Sequence, residues 1–85
     1  MLIDPPMWAH RGWLWSHLVS DSSYEELHEF AARLGIPTRG FQGDHYDVPA
    51  HLHAHAVALG AEPVAGGVLV RRLIAAGLKQ SRRRQ

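Results

Sequence analysis

The chain has 85 residues, of which 46% are hydrophobic and 20% are charged, a composition typical of one small globular domain and not of a disordered chain. It has no cysteine, which excludes disulfide bonds, thiolate nucleophiles, iron–sulfur clusters and zinc sites built on cysteine. The net charge of +1 hides an acidic balance over residues 1–50 and a basic one over residues 51–85, and seven histidines are many for this length.

Two strands are predicted near the start of the chain. Met1–Ile3 is a short apolar run that two prolines follow, and Trp13–Ser20 alternates between two largely apolar faces, as expected of a strand covered on both sides. Met7–Gly12, between them, is predicted to be a loop. The short connection leaves open whether the two strands pair parallel or antiparallel.

The first helix is predicted to begin after Ser23. Ser23 and Glu26 have the spacing of a capping box, and apolar residues follow at helical spacing. Gly35 supplies the left-handed residue that ends a helix, and Pro37 prevents the helix from resuming.

The second half of the chain is predicted to contain a loop, two helices and a short strand. The loop spans Thr38–Pro49, and Asp47 is expected to cap a helix over Pro49–Leu59. A brief strand is predicted at Glu62–Ala65, and a third helix opens at Gly66.

Together these elements predict a small single α/β domain over residues 1–78, with about three short strands and three helices. The return from the second strand to the third is interpreted as a right-handed parallel crossover. Residues 79–85 are expected to form a basic, mobile tail. Because the sequence has neither a signal-peptide pattern nor a run of apolar residues long enough to span a bilayer, we expect a cytoplasmic protein with no membrane partner.

Three segments carry a family resemblance: Leu-Trp-Ser-His-Leu at 14–18, Glu-Glu-Leu-His at 25–28 and Phe-Gln-Gly-Asp-His-Tyr-Asp-Val at 41–48. In this order they resemble a family of small bacterial and phage proteins classed as a domain of unknown function. The resemblance covers roughly residues 1–78 and implies no established activity. The recurring polar positions of that family fall here on Asp4, His17, His28, His45, Tyr46 and Asp47. The histidine-rich run at 51–55 departs from the family pattern.

A metal site is the first functional hypothesis. Asp4 ends the first strand and His17 lies near the end of the second, so both side chains reach one edge of the sheet if the strands are parallel. The following loop would bring His45 and Asp47 to that edge. Imidazole and carboxylate bind zinc, manganese or iron, and an open position on such an ion activates water for hydrolysis. The predicted ligands are Asp4, His17, His28, His45 and Asp47, with His17 and His45 as catalytic residues.

A phosphate site is the alternative chemical hypothesis for the same region. The run Arg-Gly-Phe-Gln-Gly at 39–43 combines an arginine with glycines, and glycines let backbone amides turn toward an anion. In this case His17 or His45 would act as general acid or base on a phosphoester. A plain turn is the structural alternative. The ligand-binding residues predicted on this hypothesis are Arg39, Gln42 and Tyr46.

Several candidates also have a structural interpretation without any ligand. Asp4 would cap a turn before the two prolines, and Asp47 would cap a helix. His17 would be a core histidine with a hydrogen-bond partner, and His28 would lie at the boundary of an apolar helix stripe. The sequence leaves these alternatives open.

A protein-interaction module is the alternative function. Trp8 lies in a proline-rich loop, where an exposed aromatic side chain marks a partner surface, and the chain would then form a homo-oligomer without catalysis. Trp13 and Trp15 are expected in the core. Nucleic-acid binding is disfavoured, because the basic residues near the C-terminus have no aromatic stacking platform beside them.

Overall fold

The computed structural model describes residues 1–80, which form a mixed sheet packed against three α-helices. The strands are β1 (Leu2–Ile3), β2 (Trp8–His10), β3 (Trp13–Val19), β4 (Tyr46–Pro49) and β5 (Glu62–Pro63). The helices are α1 (Tyr24–Arg33), α2 (His53–Ala58) and α3 (Gly66–Ala75), with 3-10 turns at Thr38–Gly40 and Ala50–Leu52. The predicted small α/β domain is confirmed.

Strand β3 lies at the centre of the sheet. Strands β1 and β2 pair antiparallel with one edge of it, one after the other, and β4 pairs antiparallel with the opposite edge. Strand β5 pairs parallel with β1. The first two predicted strands are therefore antiparallel, which settles the direction that the sequence leaves open. The predicted parallel crossover is wrong, because β5 runs antiparallel to β3 and β1 lies between them.

Two regions predicted as loops contain strands. Residues Trp8–His10 pair with β3 in a hairpin whose two turn residues, Arg11 and Gly12, both have positive φ. Residues Tyr46–Pro49 form β4, in which Tyr46 and Val48 are buried. Asp47 consequently lies inside a strand and does not cap a helix; the helical segment starts at the 3-10 turn that follows β4.

Helix α1 has the predicted ends. The Ser23 hydroxyl accepts a hydrogen bond from the Glu26 N–H at 3.1 Å, which caps the first turn. The Glu26 carboxylate does not return this bond to Ser23 but accepts one from the Ser20 hydroxyl. At the other end Gly35 has φ 82°, and Ile36 N–H donates to the Ala31 carbonyl at 2.9 Å.

The two faces of the sheet form two separate apolar clusters. On one face the strands pack against α1 and α2, in a cluster that includes Ile3, Leu18, Leu27, Phe30, Val48 and Ala56. On the other face Leu2 and Val19 pack against Leu69 and Leu73 of α3. Helix α3 covers only the end of the second face where Leu2 and Val19 lie. At the other end of this face Trp15 is half-buried, and Trp13, predicted in the core, is exposed. Polar side chains lie between these two ends of the face.

No helix within residues 1–80 has both the length and the apolar character needed to cross a membrane.

Candidate functional site

The antiparallel register places three polar side chains in one row across the sheet. His17 of β3 is directly opposite Asp47 of β4. On its other side lies Asp4, the residue after β1, whose backbone N–H donates to the His17 carbonyl at 3.2 Å. Directly paired residues project from the same face of a sheet. Asp4 and Asp47 therefore flank His17, although the parallel pairing that suggested this proximity does not occur.

Asp4 holds the ring of His17. Its Oδ2 atom lies 2.8 Å from His17 Nδ1, and its Oδ1 atom accepts the backbone N–H of His17 at 2.5 Å. Because a carboxylate only accepts hydrogen bonds, Nδ1 carries the ring proton. In the neutral tautomer that this bond favours, Nε2 is the nitrogen that offers a lone pair to a ligand.

A short turn brings His45 to the same place. Gly43 and Asp44 form a two-residue hairpin turn, closed by the Gln42 N–H bond to the His45 carbonyl at 2.8 Å, and Gly43 has φ +95°. The buried Asp44 accepts from His45 Nδ1 at 2.7 Å. His45 Nε2 lies 3.2 Å from Asp47 Oδ1. Asp44 was not predicted as a site residue; its one sequence signal is its place beside His45.

The charges around His45 change two pKa values. The hydrogen bond to Asp47 raises the pKa of His45, and Asp44 adds to this effect, while burial opposes it. Burial would raise the pKa of Asp44, but hydrogen bonds from His45 and from the Gln80 backbone, with the charge of Lys79, lower it below its ordinary value. Asp44 therefore loses its proton more readily than an ordinary carboxyl group, and His45 holds a proton more strongly than an ordinary imidazole.

His17, His45 and Asp47 form a group with the geometry of a metal site. Each offers one ligand atom, and these atoms all lie within 4.8 Å of one another. The two imidazole rings meet edge to face, with centroids 5.3 Å apart. In protein metal sites a ligating histidine usually donates its second ring N–H to a carboxylate or a carbonyl. Both histidines of this group have such a partner, Asp4 for His17 and Asp44 for His45.

Three predicted site residues lie elsewhere. Tyr46 is fully buried on the opposite face of the sheet, where its hydroxyl lies 2.7 Å from His28 Nδ1 and burial raises its pKa. Strand alternation causes this separation, because Tyr46 neighbours Asp47 in β4 and must point the other way. His28 is therefore corrected from a metal ligand to the partner of Tyr46. Arg39 is exposed in a 3-10 turn and does not line the cavity described below.

A cavity of about 470 Å³ adjoins the histidines. Gln42, a predicted ligand-binding residue, is part of its lining. Lys79 and Gln80, which the sequence places in a mobile tail, also line it. Gln80 N–H donates to Asp44 Oδ2 at 2.9 Å, and Lys79 Nζ lies 3.7 Å from the same oxygen. Residues 81–85 of that predicted tail lie outside the described residues. The complete lining is Asp4, His17, Val19, Gln42, Asp44, His45, Gly66, Leu69, Val70, Leu73, Lys79 and Gln80.

An aromatic stack borders the site on the side of β2. The Trp8 indole stacks on the His17 ring with centroids 5.5 Å apart and an interplanar angle of 20°, and on Trp15 at 6.0 Å and 27°. Trp8 is thus half-buried in a strand and is not the exposed loop residue that the sequence suggested. It covers one face of the His17 ring, and the His17 side chain remains 38% exposed.

Comparison with known proteins agrees with the resemblance noted in the sequence. Neither the curated proteins nor the solved structures give a match to this chain. One family model matches residues 1–76, with the description "Protein of unknown function (DUF4031)". This match includes every residue of the His17–His45–Asp47 group. Since it spans most of the 85 residues, the chain belongs to the DUF4031 family.

Proposed function

We propose that the protein binds one divalent transition-metal ion, zinc, manganese or iron(II), through Nε2 of His17, Nε2 of His45 and the carboxylate of Asp47. The observation that carries this proposal is the paired orientation of the imidazoles. Each has its Nδ1 atom hydrogen-bonded to a carboxylate, which leaves its Nε2 atom for a ligand. One ring nitrogen of each histidine and one Asp47 oxygen lie within 4.8 Å of one another. Histidine with carboxylate is a ligand set that suits these ions.

The charge of the site supports a cation. Asp4, Asp44 and Asp47 contribute three negative charges, and Lys79 contributes one positive charge at 3.7 Å from Asp44. With neutral imidazoles the balance is 1 − 3 = −2, which a divalent ion cancels. Without it, a proton on His45 would reduce the balance to −1, and the partly buried carboxylates would still exceed the positive charge beside them, which costs free energy.

The chemistry proposed for the site is metal-assisted hydrolysis of a small molecule. Three protein ligands leave an open coordination position, which is the feature that separates catalytic from structural zinc sites. An ion with such a position lowers the pKa of bound water and makes it a nucleophile near neutral pH. The cavity beside His17 and His45 gives a substrate access, and Gln42 and Lys79 provide polar contacts for it. Asp4 and Asp44 are then positioning residues.

A zinc titration in competition with a chromogenic chelator tests the metal proposal. The wild-type chain, stripped of metal and free of an affinity tag, should bind one equivalent. His17→Ala and Asp47→Ala should weaken binding by more than the roughly 10- to 100-fold that loss of an outer partner causes. The exposed His51, outside the group, provides the matched control, and His51→Ala should bind as the wild type does. Equal binding by wild type and His17→Ala would contradict the proposal.

Self-association is a second proposal, favoured by a different observation. Met7, Trp13 and Leu14, on or beside the β2–β3 hairpin, are large apolar side chains exposed to solvent. Large apolar side chains exposed on a small domain mark a candidate interaction surface, here on both faces of the hairpin. The light-scattering mass of the wild type should then exceed that of one chain, and Trp13→Ser should lower it. A wild-type mass of one chain would contradict this proposal.

A further inference from the structure

The cavity beside the proposed metal site has two chemically different halves. His17, His45 and Asp44 lie at one end, with Lys79 close to them. The apolar part of the lining consists of Val19 on β3 and Leu69, Val70 and Leu73 on α3, of which Val19, Leu69 and Leu73 pack in one cluster. Within residues 1–80, Lys79 is the one lysine or arginine that lines the cavity.

We propose that this cavity binds a small monocarboxylic acid with an apolar chain, its carboxylate on the metal ion and its chain against the wall of α3. This inference rests on the proposed function, because the metal ion anchors the carboxylate. The cavity volume of about 470 Å³ falls within the range of small-molecule sites.

The charge at the metal favours an anion of one charge. A divalent ion bound by two neutral imidazoles and the Asp47 carboxylate keeps one positive charge within the ligand set, which one carboxylate neutralises. With Asp4, Asp44 and Lys79 counted, the metal-loaded site is neutral, so a bound monocarboxylate brings it to −1. Lys79 Nζ, near Asp44, lies on the same side of the cavity and attracts the same anion. A dianion would bring the site to −2 beside Asp4 and Asp44, which is less favourable in a partly buried site than the −1 of a monocarboxylate.

The apolar part of the cavity lining favours a ligand with a hydrocarbon chain over a ligand with a polar chain. Leu69 and Leu73 are buried in the apolar cluster with Val19, and none of these side chains offers a hydrogen bond. Hydroxyl groups placed against them would lose their water without gaining a partner, which disfavours sugars and other hydroxyl-rich ligands. A short hydrocarbon chain has no hydrogen bonds to water to lose there, and burial of its apolar surface strengthens binding.

Calorimetric titration of the zinc-loaded protein with straight-chain acids tests the inference. From propanoate to hexanoate, each added methylene should strengthen binding by about three- to fourfold, as expected for burial of one methylene. Hexanol, which has the chain without the carboxylate, should bind more weakly than hexanoate. Removal of zinc with a chelator should abolish hexanoate binding.

Two positions on α3 provide a matched pair of variants. Val70 lines the cavity and is 40% exposed, whereas Ile74, one turn later, is 58% exposed and does not line it. Val70→Asn should weaken hexanoate binding roughly fivefold, and Ile74→Asn should leave it unchanged. Because both side chains are partly exposed, neither change removes a core residue, and both variants should bind zinc as the wild type does.

Each outcome has a distinct meaning. If zinc binds but hexanoate does not, the ligand inference is wrong and the metal proposal stands. If zinc itself does not bind, the proposed function is wrong, and this inference falls with it. If hexanoate binds equally with and without zinc, or if Val70→Asn and Ile74→Asn behave alike, the placement of the ligand is wrong.

Discussion

At the scale of single residues, the carboxylates of Asp4 and Asp44 act through the histidines that they hold. Each accepts the Nδ1 proton of one imidazole, at 2.8 Å for Asp4 and 2.7 Å for Asp44. Such partners fix the ring orientation and increase the basicity of the other nitrogen. The site therefore depends on five side chains, although only His17, His45 and Asp47 form the candidate ligand set.

Removing the Asp4 charge tests this role. Asp4→Asn should reduce zinc affinity by about 10- to 100-fold without abolishing binding, because the amide holds His17 less well than the carboxylate does. Asp21, which bonds Arg72 away from the site, is the matched control. Competition titration should give Asp21→Asn the wild-type affinity. Equal affinities for all three proteins would show that Asp4 does not position His17.

The raised pKa of His45 predicts the pH dependence of the metal-free protein. A group whose pKa is raised on folding stabilises the fold below its unfolded pKa, near 6.5 for histidine, and loses this contribution as the pH rises through the folded pKa. The difference in melting temperature between wild type and His45→Gln, measured with chelator present, should therefore shrink as the pH rises from about 6 to about 8.5. A constant or growing difference would contradict the assignment.

At the scale of elements, one tight turn determines whether the site forms. The Gly43–Asp44 turn reverses the chain between Gln42 and His45 and continues directly into β4, which carries Asp47. Its first residue has φ +95°, a conformation that glycine adopts without strain. The turn thus fixes Asp44, His45 and Asp47 relative to one another.

Two glycine substitutions separate strain from site geometry. Gly43→Ala and Gly35→Ala both place a side chain at positive φ, with no atom closer than 3.9 Å to the new Cβ. Each should cost about 1–2 kcal/mol of folding free energy. In addition, only Gly43→Ala should weaken zinc binding, since Gly35 ends α1 far from the turn along the chain. Denaturant unfolding and zinc titration measure the two effects. Equal zinc affinities in both variants would contradict the role given to the turn.

At the scale of the whole molecule, the two faces of the sheet have different roles. The face toward α1 and α2 holds the larger apolar cluster, with the Tyr46–His28 hydrogen bond inside it. The other face is apolar under α3 and at the Trp8–Trp15 stack, and it also carries the His17–His45–Asp47 group. Stability and ligand binding should therefore respond to different substitutions.

Tyr46→Phe tests this division. Loss of the hydroxyl leaves His28 without its partner and should cost about 1–2 kcal/mol of folding free energy. Zinc affinity should not change, because Tyr46 projects from the opposite face to Asp47. Thermal unfolding and a zinc titration on the same variant provide both values. A large loss of zinc affinity would show instead that Tyr46 and His28 contribute to the metal site.

The sequence predicts the parts of this molecule that local chemistry determines. Helix α1 could be predicted because Ser23 and Gly35 specify its ends within the helix itself. Strand β4 was missed because polar residues obscure the alternation of Tyr46 and Val48. The family resemblance places His28 among the recurring polar positions, and its position beside an apolar helix stripe does not show which face of the sheet it meets. Strand direction depends on contacts between distant residues, so it was left open.

The most direct test of the account is the state of the seven imidazoles on zinc addition, observed by long-range ¹H–¹⁵N NMR of the ring nitrogens. The account predicts that the Nε2 signals of His17 and His45 shift on binding one equivalent of zinc. Their Nδ1 atoms should stay protonated, held by Asp4 and Asp44. Coordination through Nδ1, or shifts at other histidines with these two unchanged, would contradict it.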